Sequence, residues 1–301
     1  MMTESILEKM ATGPGLGDGG YVLFLEKQGV IKSAQWTPEG VLTHPEAVRA
    51  IHEKFLDAGS EVLQAQTWAG TRGSLDRSGA GDKVQAINST AVRLAKQVAG
   101  DRALVAGTVS FVGEKKELVW SSGGADQEPF YQEQVDILVE EKVDFLLLET
   151  FLSLADGLTA LKCAKRSGLP VMINITFKEL DQTEDGYSAA QACQRLSGEG
   201  ADIVGMNCHW QPELMLPLMD QIRAAVDGFV GMQPPAIRGE NFRAFNSDEG
   251  WVEKWPGRVL TPQEMADYAR RANDSGINFI GACCGTDDSH IKAMAGALEK
   301  G

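Results

Sequence analysis

Apolar runs with strand character alternate with amphipathic stretches along most of this chain. Strand-like runs occupy residues 60–67, 103–109, 144–150, 170–177, 202–207, 228–233 and 278–281. Helix-like stretches follow them at residues 82–98, 127–142, 153–166, 188–197, 212–226, 261–272 and 287–298. The runs are apolar on both faces, which is typical of parallel strands covered by helices. With residues 14–18 as the remaining strand, the pattern predicts an α/β fold, a single (β/α)8 TIM barrel domain over residues 1–301.

Composition narrows the class of protein. The 301 residues are 43% hydrophobic and 23% charged, and the net charge is −14. An acidic chain without a basic face is unsuited to a nucleic-acid partner or to docking on an anionic membrane. We find no apolar run of about 18 residues and no signal peptide. Five cysteines without framework spacing favour free or metal-bound thiols in a reducing compartment, so we expect a cytoplasmic enzyme.

The carboxyl ends of the predicted strands carry polar side chains. In a (β/α)8 barrel these ends line one rim, where active sites form. The rim set is Asp18, Gln64, Gln66, Thr108, Glu149, Asn174, Asn207, Cys208, Gln233, Cys283 and Cys284. The irregular residues 234–256 would form a long loop on the same face, either functional or surface decoration.

Three of the five cysteines follow strands and two lie in predicted helices. Cys163 and Cys193 fit ordinary buried packing. Cys208, Cys283 and Cys284 instead indicate a three-thiolate zinc site with its fourth position open to a substrate. Such a zinc lowers the pKa of a substrate thiol and keeps the sulfur electron-rich for alkyl transfer.

The histidines are not needed as bases if the metal generates the thiolate. His44 and His52 fall on or near a predicted outer helix, where we expect them to be solvent-exposed. His209 follows Cys208 and either lines the site or packs behind it.

Several segments resemble the homocysteine S-methyltransferase family, in particular its betaine–homocysteine branch. The amino-terminal resemblance lies in residues 17–29, 36–39 and 44–48, and the zinc motifs are Gly-Met-Asn-Cys-His at 205–209 and Gly-Ala-Cys-Cys-Gly at 281–285. The resemblance extends from about residue 13 to about residue 298. It implies a (β/α)8 barrel in which residues 21–27 form the first helix after a strand ending at Asp18.

The resemblance also implies a site. Zn²⁺ would be held by Cys208, Cys283 and Cys284, and homocysteine by Asp18, Gly19, Glu149, Asn207 and Gln233, with Gln64 at the same rim. Trp36 matches an aromatic residue of the donor site, and Trp68 is a second candidate wall that could equally be core packing. An aromatic face attracts a methylated onium that has no N–H to donate.

The chain departs from the betaine enzymes near the donor site. Thr150 replaces a tyrosine, Ala69 replaces an aromatic residue beside Trp68, and the sequence ends at Gly301 without their long carboxy-terminal extension. Glycine betaine remains the first expectation as methyl donor, giving methionine. The alternatives are a sulfonium such as dimethylsulfoniopropionate or S-methylmethionine, methylcobalamin on a partner, or a non-catalytic zinc or thiol sensor. The expected partners are therefore the two small-molecule substrates. The sequence also allows a homo-oligomer.

Overall fold

The computed structural model describes residues 4–30, 38–116, 119–122, 127–177, 179–238 and 257–300. The described strands are β1 (Gly15–Leu16), β2 (Val62–Gln64), β3 (Leu104–Ser110), β4 (Gly113–Lys116), β5 (Val119–Ser122), β6 (Phe145–Phe151), β7 (Val171–Ile175), β8 (Ile203–Asn207), β9 (Phe229–Gln233) and β10 (Phe279–Ile280). Eight of them form one parallel sheet in the order β1-β10-β9-β8-β7-β6-β3-β2, while β4 and β5 form an antiparallel pair. The predicted (β/α)8 barrel is confirmed, with residues 14–18 supplying its first strand.

Most of the described helices lie between successive barrel strands, while the first precedes β1 and the last follows β10. They are α1 (Ile6–Thr12), α2 (Tyr21–Lys27), α3 (Gly40–Thr43), α4 (Pro45–Asp57), α5 (Arg72–Asp76), α6 (Val84–Ala99), α7 (Glu128–Glu140), α8 (Leu154–Lys165), α9 (Ala189–Gly198), α10 (Pro212–Ala225), α11 (Pro262–Asp274) and α12 (Asp288–Ala297), with a 3₁₀ turn at Gly81–Lys83. Each predicted helix is present, with ends that differ by a few residues. Among the described residues, no helix combines the length and apolar character needed to cross a membrane.

Helix starts follow from local side-chain chemistry. Ser153 and Thr261 each accept a hydrogen bond from the main-chain amide three residues on, which satisfies a donor left open by the first helical turn. Pro262 occupies the first helical position of α11, where a missing N–H costs nothing. Asp287 caps α12 in the same way through the amide of Ser289. Side-chain caps therefore mark where these three helices begin.

The barrel strands alternate between an inner and an outer core. Phe145 and Leu147 on β6 pack inside the barrel with side chains from the other strands, whereas Leu146 and Leu148 face the helices. Because side chains alternate along a strand, the residue two positions beyond Leu147 also faces inward. That residue is Glu149, at the carboxyl end of β6. The same alternation turns the last polar residues of the neighbouring strands toward the barrel axis.

The barrel is closed between β1 and β2 by other contacts than a strand ladder. The Glu61 amide donates to the Leu16 carbonyl at 2.9 Å, and the Leu16 amide donates to Glu61 Oε2 at 3.0 Å. Lys9 and Lys300 pair with the same carboxylate, which ties both ends of the described chain to this closure. Ile6 and Met10 of α1 join the inner core beneath it. One main-chain hydrogen bond and one carboxylate thus take the place of a strand ladder at the amino-terminal face of the barrel.

Candidate active site

Two strand ends bring three cysteines together. Cys208 follows β8, where both it and His209 adopt left-handed backbone conformations with φ of 55° and 58°. The Cys208 amide donates to the Gln233 carbonyl at 2.9 Å, which holds this turn against the end of β9. Cys283 and Cys284 follow β10, and the Cys283 amide donates to Pro234 at 2.9 Å. The Ala236 amide donates to the Cys284 carbonyl at 2.9 Å, so main-chain hydrogen bonds hold the backbone of all three cysteines.

The sulfur atoms have the spacing that a tetrahedral metal requires. Cys284 Sγ lies 3.9 Å from Cys208 Sγ and 3.8 Å from Cys283 Sγ, and the three sulfurs lie within 4.8 Å of one another. Tetrahedral Zn–S bonds of about 2.3 Å place two sulfurs about 3.8 Å apart. The hydrogen bond with Cys208, together with burial, raises the pKa of Cys283 well above its usual value. A divalent cation would offset the cost of deprotonating the cluster, so the donor set fits zinc.

Glu149 lies beside this cluster at the end of β6. Its Oε2 accepts a hydrogen bond from Asn207 Nδ2 at 3.0 Å. Burial raises the pKa of Glu149 to about 8, and the charge of Asp18 adds to the shift. An ammonium group entering the cleft would favour the ionised carboxylate and gain a charge-assisted hydrogen bond.

Asp18 lies below the cleft and does not line it. Its side chain is fully buried; Oδ1 accepts from Gln64 Nε2 at 2.8 Å and Oδ2 from the Gln64 amide at 2.8 Å. Tyr21 Oη also donates to Oδ2. Burial raises the pKa of Asp18 to about 7, although these hydrogen bonds oppose the shift. Gln64, in contrast, lines the cleft.

The expectation of a solvent-exposed His52 is wrong. His52 is fully buried, because it lies on the face of α4 that packs against α2, and its Nδ1 is 2.9 Å from Tyr21 Oη. Burial lowers the pKa of His52 to about 3. The sequence pattern gave no signal for this contact, since the pairing depends on how two helices dock. His44, at the start of α4, is exposed as expected.

The remaining predicted residues occupy different depths. Gly19 lines the cleft through its backbone, and a side chain there would meet Thr286 Oγ1 at 2.4 Å. Gln233 is buried beneath the cleft, where its Oε1 accepts from Asn174 Nδ2 at 2.8 Å. Trp36 and residues 239–256 of the predicted loop lie outside the described residues.

Aromatic and aliphatic side chains form the outer wall of the cleft. Trp68 lines it, as do Phe111 and Leu152, which the strand-end reasoning missed because they lie on the loops after β3 and β6. The indole Nε1 of Trp68 donates to Thr150 Oγ1 at 3.3 Å. His209 lines the same cleft and its Nδ1 lies 3.1 Å from the Phe177 carbonyl. Cys163 and Cys193 are buried away from the cluster, as expected.

Comparison with known proteins decides the family. Residues 16–298 match the family model described as homocysteine S-methyltransferase. The chain belongs to the homocysteine S-methyltransferase family. It is an S-methyltransferase, and its relatives name homocysteine as the methyl acceptor.

Curated members of this family match over nearly the whole chain. Betaine–homocysteine S-methyltransferase 1 of Danio rerio is 34% identical over 312 residues, which cover 98% of this chain and 76% of that protein. S-methylmethionine–homocysteine S-methyltransferase of Pongo abelii is 31% identical over 308 residues, covering 98% of this chain and 81% of that protein. The names of the two relatives give the same methyl acceptor, homocysteine, and different methyl donors.

A solved structure of another homocysteine methyltransferase has the same fold. The metallated form of MmuM from Escherichia coli superposes with a TM-score of 0.78 at 18% identity, covering 97% of this chain and 99% of that chain. At this identity the likeness establishes the barrel architecture. Within the present chain, the cysteine cluster lies at the carboxyl ends of β8 and β10.

Proposed function

We propose that this chain is a zinc-dependent homocysteine S-methyltransferase that takes a methyl group from an onium donor, glycine betaine in the first instance, and forms methionine. The observation that carries the proposal is the three-sulfur cluster at the barrel rim, with distances of 3.8 and 3.9 Å that suit one zinc ion. Bound zinc would lower the pKa of the homocysteine thiol and leave its sulfur nucleophilic.

Glu149 would hold the amino group of homocysteine. Its carboxylate is buried beside the cluster and tied to Asn207, so it is oriented before the substrate arrives. A buried carboxylate paired with an ammonium group gives a strong, directional contact. Asp18 would act indirectly, because its hydrogen bonds fix the amide of Gln64, which faces the cleft. Gly19 would allow the substrate to approach the backbone closely.

The aromatic wall would receive the donor. Trp68 offers a π face to a quaternary ammonium or sulfonium, a contact worth about 2 kcal/mol when desolvated; we propose the same role for Trp36. The homocysteine sulfur forms a bond to the methyl carbon while the bond from that carbon to the onium nitrogen or sulfur breaks. The bonding electrons remain on the departing atom, which leaves as a neutral amine or thioether. The protein has to align the groups in line at about 3–3.5 Å and exclude water.

A sulfonium donor is the second candidate. The relative from Pongo abelii is named for S-methylmethionine. Of the two replaced positions, Thr150 lines the cleft, and Ala69 is buried directly after Trp68, which lines it. The acceptor chemistry is unchanged in this alternative.

Two broader assignments belong to the same proposal. We assign residues 1–301 to one barrel domain, because strands from both ends of the chain, β1 and β10, pair in the same sheet. We also assign the protein to the cytoplasm, where the five free cysteines would stay reduced.

Methionine formation by the zinc-loaded protein tests the proposal. Homocysteine is incubated with glycine betaine, dimethylsulfoniopropionate, S-methylmethionine or methylcobalamin, and the products are separated by chromatography. Turnover with betaine supports the first assignment, and turnover with sulfoniums alone supports the second. Homocysteine binding without turnover by any of these four compounds would overturn both donor assignments.

A further inference from the structure

Thr150 connects the two halves of the cleft through its hydroxyl group. Its Oγ1 accepts a hydrogen bond from Trp68 Nε1 at 3.3 Å on the donor side. It also accepts one from Asn207 Nδ2 at 3.0 Å on the homocysteine side. The same Asn207 nitrogen donates to Glu149 Oε2 at 3.0 Å. One hydroxyl therefore joins the aromatic wall to the group that positions the buried carboxylate.

The backbone holds Thr150 in an unusual position to make these contacts. Its φ is 66°, in the left-handed region that a β-branched residue rarely adopts. The pairing of β6 with β7 shifts register between Leu148 and Phe151, and such irregularities redirect side chains. As a result Glu149 and Thr150, although consecutive, both line the cleft. The Thr150 amide donates to Asn207 Oδ1 at 2.9 Å, which fixes this conformation from the β8 side.

Trp68 is anchored in a comparable way. The next residue, Ala69, has a φ of 57°, and its amide donates to Ser110 Oγ at 2.9 Å. The main chain after Trp68 is therefore held against the end of β3. Since the indole N–H donates to Thr150 Oγ1, the hydroxyl contributes to the orientation of the ring face.

We propose that Thr150 is a positioning and specificity-determining residue that sets the aromatic wall for the methyl donor relative to the homocysteine site. This inference rests on the proposed methyl transfer. Alignment of donor and acceptor needs the two sites held within tenths of an ångström. Loss of the hydroxyl removes this hydrogen bond of the indole ring, while Asn207 can keep its contact with Glu149. The donor step then suffers more than homocysteine binding does.

A double-mutant cycle tests the connection. Thr150→Val removes the hydroxyl, Trp68→Phe removes the N–H donor, and Thr150→Ser restores the hydroxyl. Thr150→Ala is made in parallel because it lacks a β-branch on the left-handed backbone. We expect Thr150→Val and Trp68→Phe each to lower kcat/KM for the donor about 10-fold, with homocysteine affinity by calorimetry changed less than about 3-fold. The double variant should lose clearly less than the product of the two single losses, since the hydrogen bond between Trp68 and Thr150 is removed by either change.

Trp210→Phe is the matched control for losing an indole donor. Trp210 Nε1 donates to the Phe177 carbonyl at 2.9 Å and has no hydrogen bond to Thr150 in the described structure. Its effect should multiply with that of Thr150→Val. Losses that also multiply for Trp68 and Thr150, giving about 100-fold in the double variant, would overturn the inference. So would a Thr150→Ser variant as impaired as Thr150→Val.

A spectroscopic measurement separates this inference from the proposed function. In protein labelled with ¹⁵N-tryptophan, the indole signal missing from Trp68→Phe assigns the Trp68 N–H. Thr150→Val or Thr150→Ala should shift that signal and leave the Trp210 signal in place, while Thr150→Ser should return it toward the wild-type position. An unmoved Trp68 signal contradicts the inference even if no donor is turned over. Absence of turnover with a shifted signal contradicts only the proposed function.

Discussion

The carboxylate of Asp18 accepts hydrogen bonds from both the main-chain and the side-chain amide of Gln64, each at 2.8 Å. Asp18 follows β1 and Gln64 ends β2. These are the first and the last strand in the order of the sheet, and no strand ladder joins them. Glu61 provides the corresponding contact with Leu16 at the opposite face. Side-chain carboxylates therefore replace the ladder at both ends of this junction. At the rim the same contact orients Gln64 toward the cleft.

Asp18→Asn should destabilise the fold. An asparagine keeps one acceptor oxygen but directs its NH₂ group at a donor of Gln64 or Tyr21. We expect the free energy of unfolding in urea at pH 7 to fall by about 1–3 kcal/mol. Asp57→Asn is the control, since Asp57 is exposed and pairs with Arg102 at the surface; its effect should stay within about 0.5 kcal/mol. Equal losses in the two variants would contradict this account.

Asp18 and His52 should give opposite dependences of stability on pH between about pH 4 and 6.5. The pKa of Asp18 is raised to about 7 by burial, so in this range it holds a proton in the folded chain and has released it in the unfolded chain. Its contribution to stability therefore grows as the pH falls. The pKa of His52 is lowered to about 3 by burial, so only the unfolded chain binds that proton and stability falls with pH.

The variants separate the two contributions, which offset each other in the wild type. Relative to wild type, His52→Asn should gain about 1.4 kcal/mol for each unit that the pH falls, and Asp18→Asn should lose about the same. Urea denaturation at pH 5 and pH 6 measures both slopes. Parallel pH profiles for all three proteins would show that neither pKa is shifted in the folded state.

Cys283→Ser should remove the metal site and leave the barrel folded. The variant loses one of three sulfur ligands, and we expect most of the bound zinc to be lost on dialysis, with kcat lowered by at least about 100-fold. Cys163→Ala is the control, because Cys163 is buried on α8 away from the cluster. Zinc content by atomic absorption and far-ultraviolet circular dichroism distinguish metal loss from unfolding. Undiminished methylation by Cys283→Ser would exclude the zinc mechanism.

Glu149→Gln should weaken homocysteine binding because it removes the charge that pairs with the amino group of homocysteine. The amide can still contact Asn207 but lacks the negative charge, so we expect KM for homocysteine to rise about 10–100-fold. The analogue 4-mercaptobutyrate, which has no amino group, supplies the control. Its KM should be nearly the same for wild type and variant. A parallel loss with both thiols would assign Glu149 a structural role.

The sequence was sufficient to predict the rim residues because two periodicities agree. The β→α alternation sets where each strand ends, and the two-residue repeat from Phe145 through Leu147 directs Glu149 inward. The three cysteines stand out because they follow two strands whose carboxyl ends lie on the same face of a parallel sheet. Their sulfur distances of 3.8 and 3.9 Å agree with that prediction.

Other features depend on tertiary contacts that leave no local pattern. The buried His52 looks like any polar residue on an amphipathic helix, and its contact with Tyr21 exists only once α2 and α4 have docked. Thr150 and Ala69 have left-handed backbones, which a glycine would have signalled in the sequence. Asp18 was predicted at the rim, but its side chain is buried below the cleft, where it is held by Gln64 of β2.

Gly205 should be the strand position least tolerant of a side chain near the metal site. It pairs with Gly231 of β9 in register, and an added Cβ would lie 1.8 Å from the Gly231 carbonyl oxygen. Backbone cannot yield as a flexible side chain does, so Gly205→Ala should cost about 3 kcal/mol or more. Because β8 ends at Asn207 and leads directly into Cys208, zinc affinity should fall as well.

Gly198→Ala is the control for this prediction. Nothing lies within 4 Å of a Cβ added at Gly198, and alanine stabilises a helix by up to about 1 kcal/mol relative to glycine. Thermal unfolding with and without zinc should show a lowered Tm and a reduced zinc response for Gly205→Ala only; a normal zinc response in that variant would separate β8 packing from the placement of Cys208.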